Sequence, residues 1–92
     1  IMLMRNKQDH NTEINVVRHI ILRNMWEVYI TDEETDTPER RFALVMGFET
    51  ELGDVWLPEY KGHIVVDTTG RDLDHMVNME EIMPAPGWEW KK

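Results

Sequence analysis

The chain has 92 residues, of which 41% are hydrophobic and 30% charged, and its formal net charge is −8 at pH 7. These values are typical of one globular domain over residues 1–92 and exclude general disorder. The absence of cysteine excludes disulfide bonds, thiol catalysis and cysteine-based zinc sites.

The negative charge is concentrated after the first third of the chain. Residues 32–90 contain fifteen acidic and four basic side chains. Because duplex binding depends on clustered Lys and Arg, this distribution predicts no direct binding of nucleic acid and favours contact with a basic protein surface. No apolar run approaches the ~18 residues of a membrane-spanning helix, and residues 1–11 lack the apolar core of a signal peptide. We therefore expect a cytoplasmic protein without membrane contact.

The first segments of the chain have the composition of β-strands. Residues 1–12 show no sustained period and predict a short strand or an extended arm. The segment 13–22, EINVVRHIIL, is dense in β-branched residues and favours a strand, although a helix capped at its start is the alternative. Arg23 and Asn24 predict a tight turn, because Asn tolerates positive φ.

Two further segments predict a central hairpin. In the segment 25–31, MWEVYIT, apolar and other side chains alternate as in a half-buried strand. The acidic, proline-containing segment 32–39 predicts an exposed loop, and 40–48, RRFALVMGF, returns to alternation. The predicted core of the hairpin is one face of the sheet and comprises Trp26, Val28, Ile30, Phe42, Leu44, Met46 and Phe48.

The second half of the chain has weaker patterns. We predict a turn at 53–54, a short helical turn at 58–60 and a strand at 63–68. The segment 71–83 has apolar residues at three- and four-residue spacing, which predicts a helix that ends before Pro84. Together the segments predict an α+β fold: a small antiparallel β-meander with one or two short helices.

The segment 81–92, EIMPAPGWEWKK, combines two prolines with two tryptophans. Pro84 and Pro86 stiffen the chain, and the rings of Trp88 and Trp90 face the same side of an extended segment because they are two residues apart. We therefore predict an ordered strap at the C-terminus that docks on the sheet. Two alternatives stay open for its rings, namely the core of the domain itself and a partner.

Two stretches, FALVMGFETELGDVWL and EEIMPAPGWEW, resemble small uncharacterised accessory proteins encoded by tailed phages of marine cyanobacteria. The similarity is loose and runs over most of the chain. It implies an accessory protein that acts in the host cytoplasm, and it assigns a role to no residue.

No residue pattern indicates catalysis or a cofactor. The histidines lack the spacing of metal ligands, and serine and phosphate-binding glycine motifs are absent from the sequence. The alternating carboxylates of 32–36 match the start of a calcium loop, but Thr37 replaces the required glycine and Ala43 the final glutamate. We predict no catalytic residue, no metal and no cofactor.

These observations predict a non-enzymatic module that binds a protein partner. Its predicted partner-binding residues are three tryptophans and the acidic loop: Trp56, Trp88, Trp90, Asp32, Glu33, Glu34 and Asp36. One alternative is a nucleic-acid mimic whose carboxylates occupy a basic groove of a host enzyme. Another is a small metal-binding protein or enzyme that uses histidine and carboxylate groups. A homodimer is a further open alternative.

Overall fold

The computed structural model describes residues 2–68 and 82–91. Regular structure in this part of the chain consists of strands and one short 3-10 helix at Leu57–Tyr60. The strands are β1 (Met2–Asn6), β2 (Glu13–Leu22), β3 (Glu27–Thr31), β4 (Arg40–Met46), β5 (Thr50–Trp56), β6 (Ile64–Asp67) and β7 (Trp88–Trp90).

The described residues form a mainly β fold, so the predicted α+β class is wrong. The helix predicted at 71–83 lies outside the described residues, except for its last two positions, which are not helical. The helical turn predicted at 58–60 is present as a 3-10 helix, and it stops when Lys61 adopts extended backbone angles. None of the described segments is a helix long and apolar enough to cross a membrane.

All strand pairs are antiparallel, and the sheet has the order β5-β4-β3-β2-β1-β7. The first five strands form the predicted meander, because short connections let consecutive strands pair. The ten-residue strand β2 has room for two neighbours on one edge: β1 pairs with its first half and β6 with its second half. The segment 13–22 is therefore a strand, as predicted.

Apolar side chains cover both faces of the sheet. One face, here called the tail face, carries a cluster that the C-terminal segment completes: Met4, Ile14, Val16, Tyr29, Leu44, Ile82, Ala85, Trp88 and Trp90. The other face, here called the Trp26 face, carries a second cluster: Ile20, Leu22, Val28, Ile30, Ala43 and Val55. Because successive side chains of a strand point to opposite faces, the central strand β3 contributes to both clusters and is buried on both sides.

The prediction that the hairpin core lies on a single face is wrong. Val28 and Ile30 are buried on the Trp26 face, whereas Leu44 pairs with Tyr29 and is buried on the tail face. Phe48 is not in the core at all, because β4 ends two residues before it and leaves it in a loop. The remaining predicted core residues are partly exposed: Trp26, Phe42 and Met46.

The turn predicted at 53–54 is also wrong. Both residues lie inside β5, where Gly53 pairs with Ala43 and Asp54 pairs with Phe42. Seven consecutive cross-strand pairs between β4 and β5 override the local turn tendency of Gly-Asp. The sequence pattern alone does not predict β5.

Candidate partner-binding surface

The turn between β2 and β3 exposes an apolar side chain on a strained backbone. The Met25 N–H donates to the Leu22 carbonyl oxygen at 2.9 Å, and Met25 has a φ of 73°. A left-handed residue is usual at the end of a three-residue hairpin loop, but glycine is favoured there. The Asn24 residue keeps a negative φ, and its side-chain Oδ1 accepts a hydrogen bond from the Trp26 N–H at 3.0 Å. The predicted turn is confirmed, and its positive φ falls on a methionine.

The loop between β4 and β5 places an aromatic ring in solvent. Phe48 is 95% exposed and meets Trp26 edge-to-face, with ring centroids 5.1 Å apart and an interplanar angle of 80°. The Trp26 ring also lies against Gly47, where an added Cβ would be only 2.8 Å from Cζ3 of the indole. The Gly47 N–H donates to the Glu49 carbonyl oxygen at 3.0 Å and closes the loop. Glycine at position 47 therefore allows Trp26 to pack on the loop.

Met25, Trp26 and Phe48 lie at the same end of the sheet and are together called the Trp26–Phe48 patch. The two turns that carry them lie at the same end of the sheet, because the first residue of β3 pairs with the last residue of β4. Met25 is 72% exposed, and Trp26 is partly exposed. Contiguous apolar side chains on a small soluble domain mark interaction sites more often than isolated ones do.

Two carboxylates border the patch on the side of β5. Glu49 and Glu51 line a cleft of about 330 Å³ together with Trp26, Val45, Gly47 and Phe48. Among the described residues, no basic side chain lines this cleft. Aromatic rings beside carboxylates attract cations, through the negative face of the ring and through direct ion pairing. The cleft is therefore suited to a Lys or Arg side chain from another molecule.

A second cleft, of about 350 Å³, lies on the other side of Trp26. Its walls are the turn after β2, the end of the 3-10 helix with Glu59 and Tyr60, and His63 in the segment that follows. Arg23 joins the turn to that segment: its N–H donates to the His63 carbonyl oxygen at 2.8 Å, and its Nε donates to the Gly62 carbonyl oxygen at 3.2 Å. Burial, with a smaller contribution from a neighbouring carboxylate, raises the pKa of Tyr60. Trp26 thus stands between an acidic cleft and a second cleft lined by Arg23, Glu59 and Tyr60.

The tail tryptophans lie in the core of the domain. Strand β7 pairs with β1, and Trp88 and Trp90 are only 6% and 8% exposed. The Trp90 Nε1–H donates to the Ile82 carbonyl oxygen at 3.0 Å, and its ring meets Tyr29 edge-to-face at 6.4 Å. The prediction of an ordered strap docked on the sheet is confirmed, and of the two alternatives for its rings the structure has the core.

The acidic loop lies at the end of the sheet opposite the Trp26–Phe48 patch. Its carboxylates Asp32, Glu33, Glu34 and Asp36 are exposed. The structure brings Trp56 to the same region. Arg40 joins the two, because its guanidinium lies 5.6 Å from the centroid of the Trp56 ring and its Nε lies 3.6 Å from Asp36 Oδ1. Of the partner-binding residues predicted from the sequence, the acidic loop and Trp56 lie close together in the structure. Trp88 and Trp90 do not join them, because they lie in the core.

A buried polar cluster lies beneath the tail face. His19 Nε2 is 2.8 Å from Glu27 Oε1, and the imidazole stacks on Tyr29 with centroids 4.7 Å apart. His19 Nδ1 is buried and has no hydrogen-bond partner among the described residues. Burial lowers the pKa of His19, and the contact with Glu27 opposes this shift. Within residues 2–68 and 82–91, no three His, Asp or Glu side chains are arranged to hold one metal ion.

Sequence reasoning missed the residues that form the exposed patch, chiefly Met25, Phe48 and Glu49. Phe48 continues the alternation of β4 and was therefore predicted to be in the core. The signal that identifies it as a loop residue is Gly47, which ends the strand one position earlier. Met25 carried no signal, because a methionine is rare in the left-handed conformation.

No known protein family, no curated protein and no solved structure matches this chain.

Proposed function

We propose that this protein is a small acidic protein-interaction module. It uses the Trp26–Phe48 patch to bind a partner protein whose contact surface combines apolar side chains with Lys or Arg. The observation that carries the proposal is the nearly complete exposure of Phe48 beside Met25 and Trp26, with Glu49 and Glu51 at its border.

The free protein keeps an unfavourable arrangement at this patch. Met25 occupies a backbone conformation that costs roughly 1–2 kcal/mol for a residue with a Cβ. A phenylalanine in solvent forgoes the burial of ~150–250 Å² of surface, a loss of several kcal/mol at about 25 cal/mol per Å². A binding partner that covers Phe48 recovers the free energy of burying its ring, and aromatic anchors of this kind dominate binding interfaces.

The charge of the protein supports a basic partner. Glu49 and Glu51 form no ion pair with the described residues, whose ion pairs are Arg5–Glu89, Arg18–Asp67, His19–Glu27, Arg40–Asp36 and Lys91–Glu13. Complementary charges at the rim of an interface accelerate association and make it sensitive to salt. The proposal includes no catalytic step. The resemblance to cyanophage accessory proteins extends it to a host protein in the cytoplasm as the partner.

Photo-cross-linking tests the proposal. Benzoylphenylalanine at position 48 replaces one exposed aromatic residue by another, and the same group at position 83, exposed on the tail face, is the matched control. In a host-cell lysate we expect one discrete product from position 48, with Lys or Arg beside the cross-linked residue of the partner. Unlabelled protein should compete with the probe-carrying protein for the partner, and the variant Glu49→Lys/Glu51→Lys should not compete.

The outcomes of this experiment separate the candidate functions. Identical products from positions 48 and 83, or no discrete product from 48, would rule out the patch as the binding surface. A third probe at position 33 examines the acidic loop. A DNA-binding enzyme cross-linked there, and displaced by duplex DNA, would favour the nucleic-acid mimic instead.

A further inference from the structure

From the geometry of the sheet edge we infer that β5 accepts an extended, basic segment of a partner protein as an additional antiparallel or parallel strand. The inference rests on the proposed function, because it describes how the partner of the Trp26–Phe48 patch continues along the molecule. Strand β5 is the last in the sheet order, and no described strand pairs with its outer edge. Its outward N–H and C=O groups are therefore available for a new ladder.

The outer edge of β5 is protected against strand addition by carboxylates. Protected edges are very short, or carry charged side chains, proline or a bulge, and the carboxylates Glu51 and Asp54 repel acidic strands but attract basic ones. Strand β5 has seven residues, contains neither proline nor lysine, and pairs with β4 without a shift in register. A Cβ placed on Gly53 would meet no described atom within 4 Å, so the Trp26 face is open at the centre of the strand. In contrast, β7 has only three residues, and β6 has four and an irregular register with β2.

The side chains of β5 indicate which kind of strand fits. Glu51 and Asp54 point to opposite faces and are exposed, so a neighbouring strand meets a carboxylate on each face. Leu52 and Trp56 are 38% and 42% exposed on the tail face and offer apolar contacts. Because side chains alternate between the two faces, a strand that alternates basic and apolar residues can place its basic side chains beside Glu51 on the Trp26 face and its apolar side chains beside Leu52 and Trp56 on the tail face.

A second copy of this chain does not fit the same edge. Pairing β5 with β5 would bring Glu49, Glu51 and Asp54 of one copy close to the same carboxylates of the other, and each copy carries a net charge of −8. Like charges on paired strands repel. The carboxylates therefore disfavour the pairing of β5 with β5 and still admit a basic segment.

The patch and the edge form one continuous surface. Glu51 belongs to β5 and also lines the cleft formed by Trp26 and Phe48. A segment paired with β5 therefore directs its side chains on the Trp26 face toward the patch. This continuity explains why the exposed aromatic rings and the open edge occur together.

The test uses the full chain labelled with ¹⁵N and a synthetic peptide of seven residues, the length of β5, in which lysine alternates with valine. One matched peptide replaces every lysine by glutamate, and a second carries an N-methyl group on every amide and so cannot form a ladder. We expect each matched peptide to bind about tenfold more weakly than the lysine peptide. Saturation with the lysine peptide should slow hydrogen exchange of the outward amides of β5 about tenfold.

Charge-reversal variants provide the control on the protein. The variants Glu51→Lys/Asp54→Lys and Glu33→Lys/Glu34→Lys each change the net charge by 2 + 2 = +4, but only the first lies on β5. We expect about a tenfold loss of peptide affinity for the first and less than about twofold for the second.

The inference is overturned if the N-methylated peptide binds as tightly as its parent, if β5 amides gain no protection, or if both charge-reversal variants lose the same affinity. Any of these results means that the peptide attaches to the acidic surface without forming a strand. The proposed function would survive them, because it is judged separately by cross-linking from position 48.

Discussion

The hydroxyl group of Tyr29 donates a hydrogen bond to the carbonyl oxygen of Met83 at 2.6 Å, and this contact joins the central strand to the segment that leads into β7. Burial raises the pKa of Tyr29, and the charge of Glu27 adds to the rise, so the hydroxyl remains a donor. The tail is therefore held on the sheet by a polar contact as well as by its tryptophan rings.

Removal of this hydroxyl should destabilise the protein. We expect Tyr29→Phe to lower the free energy of unfolding by about 0.5–1.5 kcal/mol, because it removes a partly buried hydrogen bond. The matched control is Tyr60→Phe, since the Tyr60 hydroxyl has no hydrogen-bond partner among the described residues, and it should change stability by less than about 0.5 kcal/mol. Urea denaturation of both variants measures the difference. Equal stability losses would show that the Tyr29–Met83 bond contributes nothing.

The tail should contribute to global stability. We expect Trp90→Ala to cost about 3–5 kcal/mol, because it empties a buried site beside Tyr29 and removes the hydrogen bond to Ile82. Truncation before Pro84 should likewise lower the melting temperature. The control is Trp56→Ala at a partly exposed ring whose contact with Arg40 is worth about 0.5–1 kcal/mol. Calorimetry that finds the two tryptophan variants equally stable would contradict the docked tail.

Leu44 and Phe48, four positions apart, should respond very differently to truncation. Leu44 is fully buried on the tail face, so Leu44→Ala should cost roughly 2–5 kcal/mol. Phe48 is 95% exposed and meets Trp26 by its edge, so Phe48→Ala should change stability by about 0.5 kcal/mol or less and reduce cross-linking to a partner instead. Chemical denaturation measures the first effect. A larger loss from Phe48→Ala would mean that this ring belongs to the core.

Gly47 should be required for the position of Trp26. We expect Gly47→Ala to cost about 1–3 kcal/mol, because the new methyl group would overlap the indole ring and displace it. Gly53→Ala is the control in a neighbouring strand with open space around it, and it should be neutral or slightly stabilising. The indole N–H resonance of Trp26 should shift in the first variant and stay in place in the second. An unshifted resonance in both would refute the packing described for Gly47.

His19 should make stability depend on pH. Burial lowers the pKa of His19 in the folded protein below its ordinary value of 6.5, and the contact with Glu27 only partly offsets this. The unfolded chain therefore binds the proton more readily, so acidification favours unfolding. We expect this contribution to stability to be intact above pH 6.5 and to be lost as the pH falls from there through the lowered folded-state pKa.

The variant His19→Gln isolates this effect from the titration of the carboxylates. The difference in unfolding free energy between wild type and variant should shrink as the pH falls through this window. His63→Gln, at an exposed histidine, should keep the wild-type dependence. A pH-independent difference between wild type and His19→Gln would show that the imidazole does not change its proton affinity on folding.

Part of the strand content of this protein follows from local features of its sequence. The β-branched run at 13–22 and the alternation at 25–31 predict strands because backbone preference and a period of two act within a few residues. The order of the tail is predicted locally as well, because two tryptophans two positions apart on an extended, proline-stiffened segment lie on one side of it. The concentration of negative charge after residue 31 is equally independent of the fold.

Tertiary structure decided which faces are covered and which residues are exposed. Alternation places Val28 and Tyr29 on opposite faces of the sheet. The tail packs on the face of Tyr29, and the 3-10 helix packs on the face of Val28, so both residues are buried. The pairing with β4 makes Gly53 a strand residue, although its local sequence favours a turn. The end of β4 leaves Phe48 in solvent, although the sequence period includes it. In each case the deciding contacts join residues distant in sequence or depend on where a neighbouring strand ends, and no local pattern encodes them.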